Sequence, residues 1–295
     1  MRVCAIDVGT NTVMSVVADV VGGEMTVLAD EERFARLGQG VDATGRLAPE
    51  AMDRVLDRLA SALATAERLG ADRVVIGATS ASRDASNVGD LQARVRADLG
   101  VDYRVLSGEA EAEASFRGAL ALLPALDAAL VLDIGGGSTE AALGSRDQGI
   151  RSRRSVDLGS VRLTERCFRQ RPPATAEVGQ ASALAAEVYA RLIDRPADVP
   201  VVATGSVGMV LARLAGAPAG AVPRATVAHW RDRLLPLTPA EALAVAPDVL
   251  AGREDVAAAA VLLLDAALER FGAAAYTPTP GGLRHGLALA AASPG

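Results

Sequence analysis

The pattern of apolar and polar positions divides the first half of the chain into short strands and amphipathic helices. It predicts strands at residues 2–8, 12–20, 24–30, 74–78 and 103–106. It predicts helices at residues 49–69, 88–99 and 109–122. Strands that alternate with helices in this way are typical of a mixed α/β layer domain.

Pro124 marks a boundary, because the pattern restarts after it. Strands are predicted at 129–134, 139–143 and 199–203, and helices at 176–192 and 255–271, with a last short helix after Gly281 and Gly282. The predicted division is one domain over 1–123 and a second over 124–295. A chain of 295 residues is long enough for two domains.

The first strand of each half ends in the same short motif, an Asp that closes the strand and a Gly-Thr/Ser turn that leads into a hairpin. Its residues are Asp7, Gly9, Thr10 and Asn11 in the first copy, and Asp133, Gly135, Gly136, Gly137 and Ser138 in the second. This internal repeat suggests a duplicated fold in which the two turns face each other across a cleft. Chance similarity between two glycine hairpins is the alternative.

The glycine turn after Asp133 is a candidate phosphate site. Successive glycines allow the backbone to approach a ligand closely, and their N–H groups form a concavity that suits phosphate oxygens. A carboxylate at the strand end, helped by Glu140 on the returning strand, is able to hold a hydrated Mg²⁺ that bridges to phosphate. A tight hairpin with a solvated Asp is the simpler interpretation.

Three acids at alternate positions, Glu109, Glu111 and Glu113, open the predicted helix 109–122. Acids in a first turn favour the helix dipole, which is reason enough for Glu109. Glu111 and Glu113 lie about 200° apart around the helix, so only one of them faces a given cleft. Hydrolysis of a phosphate needs one such base, and the pattern alone leaves all three open.

Several other polar residues are candidates with equally simple explanations. Segment 78–87 contains Arg83 and Asn87, which suit phosphate oxygens but also suit a helix cap and polar loop. The arginines at 151, 153 and 154 read as a solvated strand face, whereas Arg162 opens a helix that is placed to face the cleft. His229 and His285 lack a metal-ligand spacing and are interpreted as structural or surface residues.

The amino-acid composition and net charge exclude several classes of function. All 30 basic residues are Arg, so a Walker-type phosphate loop, which needs Lys, is excluded. The net charge of −6 argues against a general nucleic-acid binder. Half of the residues are hydrophobic, which suffices for packed cores, and no apolar stretch is long enough to span a bilayer. Two cysteines, no disulfide framework and no signal peptide lead us to expect a cytoplasmic protein.

Together these segments strongly resemble the exopolyphosphatase/guanosine pentaphosphate phosphatase family of the actin-like, sugar-kinase-like ATPase superfamily. The matching motifs are AIDVGTNT from Ala5, ATSASRDASN from Ala78, SGEAEA from Ser107, DIGGGSTE from Asp133, GSVRLTE from Gly159 and GGLRHG from Gly281. They occur in the expected order over nearly the whole chain. The resemblance implies two ribonuclease-H-like domains flanking a cleft.

The resemblance also implies roles for individual residues. Glu111 falls on the catalytic base of the family, and Asp7, Asp133 and Glu140 match its metal-associated acids, so Mg²⁺ or Mn²⁺ is the expected cofactor. The expected substrate contacts are Gly9, Thr10, Asn11, Arg83, Asn87, Gly135, Gly136, Gly137 and Ser138. We also expect a homodimer, with no nucleic-acid or membrane partner.

The chain departs from the family pattern in several ways. Met14 stands where members often carry Arg, Ala110 replaces a frequent Glu, and Ser206 lies in a turn that is commonly TGGT-like. The resemblance is to a short two-domain form, whereas longer relatives append helical domains, which puts processive action on long chains in doubt.

The expected function is exopolyphosphatase activity, the metal-dependent release of terminal phosphate from inorganic polyphosphate. Hydrolysis of the 5′ phosphate of guanosine pentaphosphate is an alternative with the same chemistry. A non-catalytic sensor of polyphosphate or guanosine polyphosphates is a second alternative. The presence of Glu111, Asp133 and Glu140 disfavours it, because a sensor needs no catalytic acids. A sugar kinase would need an acceptor pocket and a catalytic Asp for which the sequence offers no candidate.

Overall fold

The computed structural model describes residues 1–293, which form two compact units. Unit 1 contains residues 1–122 and 281–293, and unit 2 contains residues 123–280. The boundary at 122/123 is one residue before the predicted boundary. The sequence places the last segment in the second domain, whereas in the structure residues 281–293 pack within unit 1; residues 294 and 295 of the predicted domain lie outside the described residues.

The strands and helices are numbered in chain order. The strands are β1 (Arg2–Val8), β2 (Thr12–Val21), β3 (Glu24–Phe34), β4 (Arg73–Ala78), β5 (Tyr103–Val105), β6 (Ala128–Ile134), β7 (Thr139–Ser145), β8 (Gly149–Val156), β9 (Val201–Thr204), β10 (Val222–Pro223) and β11 (Ala275–Pro278). The helices are α1 (Val41–Thr44), α2 (Pro49–Arg68), α3 (Ser80–Asp84), α4 (Val88–Leu99), α5 (Gly108–Ala121), α6 (Ser160–Cys167), α7 (Thr175–Tyr189), α8 (Gly205–Leu214), α9 (Arg224–Leu234), α10 (Pro239–Val245), α11 (Pro247–Leu250), α12 (Ala257–Arg270) and α13 (Leu283–Ala292). Among these described helices, none is both long and apolar enough to cross a membrane.

Unit 1 is built on a five-stranded sheet with the order β3-β2-β1-β4-β5. β1 pairs antiparallel with β2 and parallel with β4. The central strand β1 is apolar on both faces, because Cys4 and Ile6 pack into the core with α2 and α4, and Val3 and Ala5 pack against α13. Since successive side chains alternate between faces, Asp7 lies on the face that α13 covers.

Unit 2 repeats this topology, because its strands β8-β7-β6-β9-β11 have the same order and the same relative directions. The short strand β10 is added beyond β11. Leu130, Leu132 and Ile134 of β6 are buried in a large apolar core with residues of α6, α7, α8 and α12. The duplication predicted from the two glycine turns is therefore confirmed at the level of the whole sheet.

The last helix, α13, joins unit 1 through a close backbone contact with α5. A Cβ at Gly118 of α5 would overlap the carbonyl oxygen of Gly282, and a Cβ at Gly286 of α13 would overlap that of Ala114. Only glycine allows two backbones to approach this closely. This contact explains why residues 281–293 belong to unit 1, which the sequence could not show.

A buried polar cluster anchors the start of α13 to the sheet. Arg284 is 5% exposed, and its Nε and Nη2 donate to the two carboxylate oxygens of Asp30 on β3 at 2.7 and 2.8 Å. The neighbouring His285 is fully buried, and its Nδ1 accepts a hydrogen bond from the N–H of Gly282 at 3.3 Å. Burial lowers the pKa of His285 to about 3, and the Arg284 guanidinium acts in the same direction while Asp30 opposes it.

Replacing Gly118 with Ala tests the α5–α13 contact. The added Cβ would meet the backbone of Gly282, which has no rotamer to change, so we expect unit 1 to lose about 1–3 kcal/mol or more of stability. Hydrogen exchange of the α5 and α13 amides, read by mass spectrometry, measures the loss. The matched control is Gly179→Ala in α7, where no atom lies within 4 Å of the added Cβ and a gain of about 0.5–1 kcal/mol is expected. Equal exchange in α5 and α13 of both variants would contradict the contact.

The buried neutral His285 predicts a loss of stability on acidification. Between pH 6.5 and about 3 the unfolded state binds a proton on this side chain and the folded state does not, so stability falls as the pH is lowered through that window. At pH 4 the contribution is on the order of 3 kcal/mol. His285→Asn keeps an acceptor for Gly282 and does not titrate, so its urea midpoint should fall less between pH 7 and pH 4. The exposed His229 provides the control, since His229→Asn should retain the full acid-induced loss.

Candidate active site

The first glycine turn, between β1 and β2, is closed by a hydrogen bond from the N–H of Gly9 to the carbonyl of Thr12 at 2.8 Å. The carbonyl of Thr10 accepts from the N–H of Gly38 at 2.8 Å. The carbonyl of Asn11 accepts from the N–H groups of residues 35 and 36 at 3.0 and 2.8 Å. The segment after β3 therefore occupies the carbonyl side of the turn.

The second turn, between β6 and β7, is closed in the same way. The N–H of Gly135 donates to the carbonyl of Ser138 at 3.0 Å. The segment after β8 again supplies donors, because the N–H of Ser160 bonds to the carbonyl of Gly135 at 2.9 Å and the N–H of Val161 bonds to that of Gly136 at 2.8 Å. A Cβ at Gly159 would lie 2.5 Å from the carbonyl carbon of Gly136, so this close approach requires glycine.

Both turns therefore use their carbonyl groups inside the protein and leave their central amides for another acceptor. Within residues 1–293, the N–H groups of four turn residues donate no hydrogen bond to protein, namely Thr10, Asn11, Gly136 and Gly137. Consecutive backbone amides without a protein acceptor suit the oxygens of a phosphoryl group. Each unit thus presents one candidate phosphate cradle at the predicted positions.

The acids of unit 2 lie opposite one another on neighbouring strands. Asp133 of β6 is the register partner of Glu140 of β7, which puts both side chains on the same face of the sheet. Ser155 of β8 donates to Oε1 of Glu140 at 2.7 Å. A Cβ at Gly205, whose φ is +70°, would lie 2.5 Å from Oδ1 of Asp133, so the carboxylate lies against the first residue of α8. The two acids predicted to share a metal ion in unit 2 are therefore neighbours on the sheet.

The acid of unit 1 has a different neighbour. Asp7 is the register partner of Met14, so Met14 occupies the position that Glu140 has in unit 2. Among the described residues, no group of three or more Asp, Glu, His or Cys side chains forms a candidate metal site. The predicted set of Asp7, Asp133 and Glu140 is thus divided between the units, and unit 2 holds two of the three.

The Asp133–Glu140 pair fits a divalent cation of the Mg²⁺ type. Mg²⁺ prefers oxygen ligands, keeps several waters, and is usually bound by one or two carboxylates together with substrate phosphates. Two carboxylates beside an amide cradle meet that requirement. Mn²⁺ accepts the same ligand set.

The three acids at the start of α5 have different environments in the structure. Glu109 is exposed, and Glu113 forms an exposed ion pair with Arg117 at 2.7 Å. Glu111 is 7% exposed, and Nη1 of Arg83 donates to its Oε2 at 2.9 Å. The same Nη1 also donates to the carbonyl of Leu106 at 3.0 Å, which fixes the guanidinium beside the helix start.

The helix itself begins at a capped end that orients Glu111. The side chain of Ser107 accepts from the N–H of Ala110 at 3.2 Å, and its carbonyl accepts from the N–H of Glu111 at 2.9 Å. Glu111 is therefore the buried, oriented carboxylate of the three. The pattern could not choose it, because burial depends on the segment that carries Arg83.

The side chain of Asn87, a predicted substrate contact, bonds to the loop between α1 and α2. Its Oδ1 accepts from the N–H of Leu47 at 2.8 Å, and its Nδ2 donates to the carbonyl of Leu47 at 3.1 Å. Both polar atoms of the side chain are engaged with one loop residue. The geometry therefore supports a loop-holding role for Asn87 rather than a substrate contact.

One residue near the first turn was missed by sequence reasoning. Nη1 of Arg284 lies 3.8 Å from Sδ of Met14, the partner of Asp7 across the β1–β2 ladder. Arg284 belongs to the GGLRHG motif noted in the sequence, but its position against β2 and β3 joins residues 254 apart in sequence. The positively charged guanidinium of Arg284 thus lies beside the apolar side chain of Met14.

Comparisons with known proteins identify the family of this chain. Residues 16–293 match the model of the Ppx/GppA phosphatase family. Exopolyphosphatase 2 of Mycobacterium tuberculosis is 43% identical over 197 residues, which are 63% of this chain and 61% of the relative. Exopolyphosphatase 1 of the same organism is 30% identical over 302 residues, 98% of this chain and 88% of the relative.

A solved structure shows the same fold. The crystal structure of an exopolyphosphatase from Cytophaga hutchinsonii superimposes with a TM-score of 0.85 and 26% identity, covering 97% of this chain and 96% of that one. The predicted fold class, two α/β domains of the ribonuclease-H-like type, is thereby confirmed. With a family model that spans nearly the whole chain, this protein belongs to the Ppx/GppA phosphatase family.

Proposed function

We propose that this protein is an exopolyphosphatase, which hydrolyses the terminal phosphoanhydride bond of inorganic polyphosphate with the help of a divalent cation. The observation that carries the proposal is the repeated turn, in which the carbonyls are held by protein donors and the central amides are left for an acceptor. Relatives named exopolyphosphatase support the same substrate. Guanosine pentaphosphate also contains a terminal phosphoanhydride bond, so it is tested below as an alternative substrate.

Phosphate binding is assigned to the two amide cradles. The N–H groups of Thr10 and Asn11 in unit 1, and those of Gly136 and Gly137 in unit 2, would donate to phosphoryl oxygens. Backbone donors fixed by the surrounding hydrogen bonds need no rearrangement when charge develops in the transition state. Such preorganised donors supply most of the acceleration in phosphoryl transfer, together with positioning.

The general base is assigned to Glu111. In the proposed step the water oxygen forms a bond to the terminal phosphorus, and the bridging P–O bond breaks as the shortened chain departs. The proton of the water goes to the Glu111 carboxylate. Nη1 of Arg83 donates to Oε2, so the carboxylate is held in position before the water arrives.

The cation site is assigned to Asp133 and Glu140. A bound Mg²⁺ or Mn²⁺ would supply charge neutralisation at phosphoryl oxygens. The two carboxylates would hold it, and Ser155 orients Glu140 by donating to its Oε1. Asp7 of the first turn stays a predicted metal ligand.

A cytoplasmic location is part of the proposal. The two cysteines are free and buried, and burial raises the pKa of the Cys4 thiol to about 11. A thiol with so raised a pKa is unreactive as a nucleophile. Two free, buried cysteines suit a reducing compartment.

Replacing Glu111 with Gln tests the base. The amide cannot accept the proton, so kcat for orthophosphate release from polyphosphate should fall by roughly 10²- to 10⁴-fold while polyphosphate still binds. The matched controls are Glu109→Gln, on the exposed side of the same helix turn, and Glu113→Gln, which breaks only the exposed pair with Arg117. Both controls should keep kcat within a few-fold of the wild type. Turnover retained by the Glu111 variant would refute the assignment.

Removal of divalent cations tests the carboxylate pair. With excess chelator, we expect phosphate release from short and long polyphosphate to be lost and to return when Mg²⁺ or Mn²⁺ is added, because Asp133 and Glu140 then have a cation to hold. Guanosine pentaphosphate and ATP are assayed in parallel. Faster release from guanosine pentaphosphate than from any polyphosphate would replace the proposed substrate, and release that is indifferent to chelation would remove the metal from the mechanism.

A further inference from the structure

Two buried hydroxyl groups adjoin the second glycine turn. Thr139 follows the turn as the first residue of β7, Tyr189 is the last residue of α7, and neither is exposed to solvent. Oγ1 of Thr139 donates to the carbonyl oxygen of Leu158 at 2.6 Å and lies 3.0 Å from the hydroxyl oxygen of Tyr189. Because the single hydroxyl proton of Thr139 is used on Leu158, Tyr189 is the donor to Thr139.

The hydroxyl of Thr139 holds the segment that donates to the turn. Thr139 is the register partner of Val156, the last residue of β8, so its side chain bonds a carbonyl two residues beyond the end of the ladder. The N–H groups of residues 160 and 161 donate to the carbonyls of the turn. Only Gly159 separates the held carbonyl of Leu158 from the first of these donors, so one side-chain hydroxyl restrains both of them.

The turn carbonyls control the cradle amides, because a peptide group is planar. The carbonyl of Gly135 and the N–H of Gly136 belong to one peptide group, and the carbonyl of Gly136 and the N–H of Gly137 belong to the next. In a trans peptide the carbonyl and the N–H point in opposite directions. The donors at residues 160 and 161 therefore aim the amides of Gly136 and Gly137 away from the start of α6.

Unit 1 forms the corresponding turn without this hydroxyl. The ladder registers put Met14 of unit 1 at the position of Glu140 in unit 2, so Val13 corresponds to Thr139. Val13 is buried in the apolar core of unit 1. An apolar side chain of nearly the same shape thus suffices to form such a strand and close such a turn. The hydroxyl at position 139 is an addition to the fold of unit 2.

We propose that Thr139, held by Tyr189, is a positioning residue for the phosphate cradle of unit 2. The inference rests on the proposed function and adds to it a residue that acts without touching substrate. Two buried hydroxyls bring little net stability, because each also gives up a hydrogen bond to water. What they provide is a fixed position for the Leu158 carbonyl and, through it, for the amides that receive the phosphoryl group. Small misplacements of such groups are costly in catalysis.

Thr139→Val tests this role, because it removes the hydroxyl and keeps nearly the same shape. Tripolyphosphate is titrated calorimetrically, with Mg²⁺ present, into the Glu111→Gln background, where binding is read without turnover. Thr139→Val should raise the dissociation constant roughly five- to tenfold. In the otherwise unchanged enzyme it should lower kcat by roughly 10- to 100-fold, since the cradle donors act on the charge of the transition state. Thr139→Ser restores the hydroxyl and should keep both constants within about threefold.

Thr164→Val is the matched control, since it makes the same chemical change in α6 of the same unit. Thr164 is buried, and its hydroxyl has no hydrogen-bond partner among residues 1–293. Both constants should stay within about twofold of the parent values. A merely structural role for Thr139 predicts a lower urea midpoint with unchanged constants for the folded enzyme. That result, or an equal loss in Thr139→Ser or Thr164→Val, would overturn the positioning role.

Tyr189→Phe decides the question if Thr139→Val does not fold. It removes only the hydrogen bond to Thr139 and should raise the dissociation constant of tripolyphosphate roughly two- to fivefold. Parent values for Tyr189→Phe would overturn the proposed arrangement. Failure of the Glu111→Gln chain itself to bind tripolyphosphate would instead overturn the proposed function, and the positioning role with it.

Discussion

The arrangement of the candidate site depends on how the carbonyl groups of two glycine turns are satisfied. In each unit the turn is closed by one short hydrogen bond, and the segment after the third strand donates amides to the turn carbonyls. A turn whose carbonyls are already bonded presents its amides outward with a fixed direction. An anion that binds there replaces water at donors that are already oriented, so little ordering is required on binding.

Glycine fulfils a second requirement, close approach of backbones, at several places that hold the site together. Gly159 lets the start of α6 reach the second turn, and Gly205 leaves room for the Asp133 carboxylate at the start of α8. Gly118 and Gly286 allow α5, which carries Glu111, to rest on α13. The acids are thereby held by main-chain contacts, which have less freedom to relax than contacts between side chains.

Much of this architecture could be predicted from the sequence, for identifiable reasons. The apolar runs predict the strands of both hairpins. The repeated Asp-Gly motif at Asp7 and Asp133 correctly indicated a duplicated sheet. The pairing of Asp133 with Glu140 follows from a hairpin whose strands return after a short turn. Local signals of this kind depend on residues close together in the chain.

The parts that could not be predicted depend on contacts between distant residues. Nothing local shows that Asn87 bonds to the backbone of Leu47 or that Arg83 reaches Glu111. The acids of α5 looked alike in the sequence, because their difference lies in what packs against each one. The position of α13 in unit 1 likewise depends on Gly118, far from the segment that packs against it.

The ion pair between Arg284 and Asp30 joins residues that are far apart in the sequence. This separation has a consequence for the order in which parts of the new chain fold. Unit 1 combines residues translated first with residues translated after all of unit 2. The five strands of its sheet are translated before unit 2, but α13, the helix that covers one face of that sheet, is translated after it. Until α13 is made, the α13-facing side of β1 and β2 stays exposed, and a chaperone would find an apolar surface to bind there.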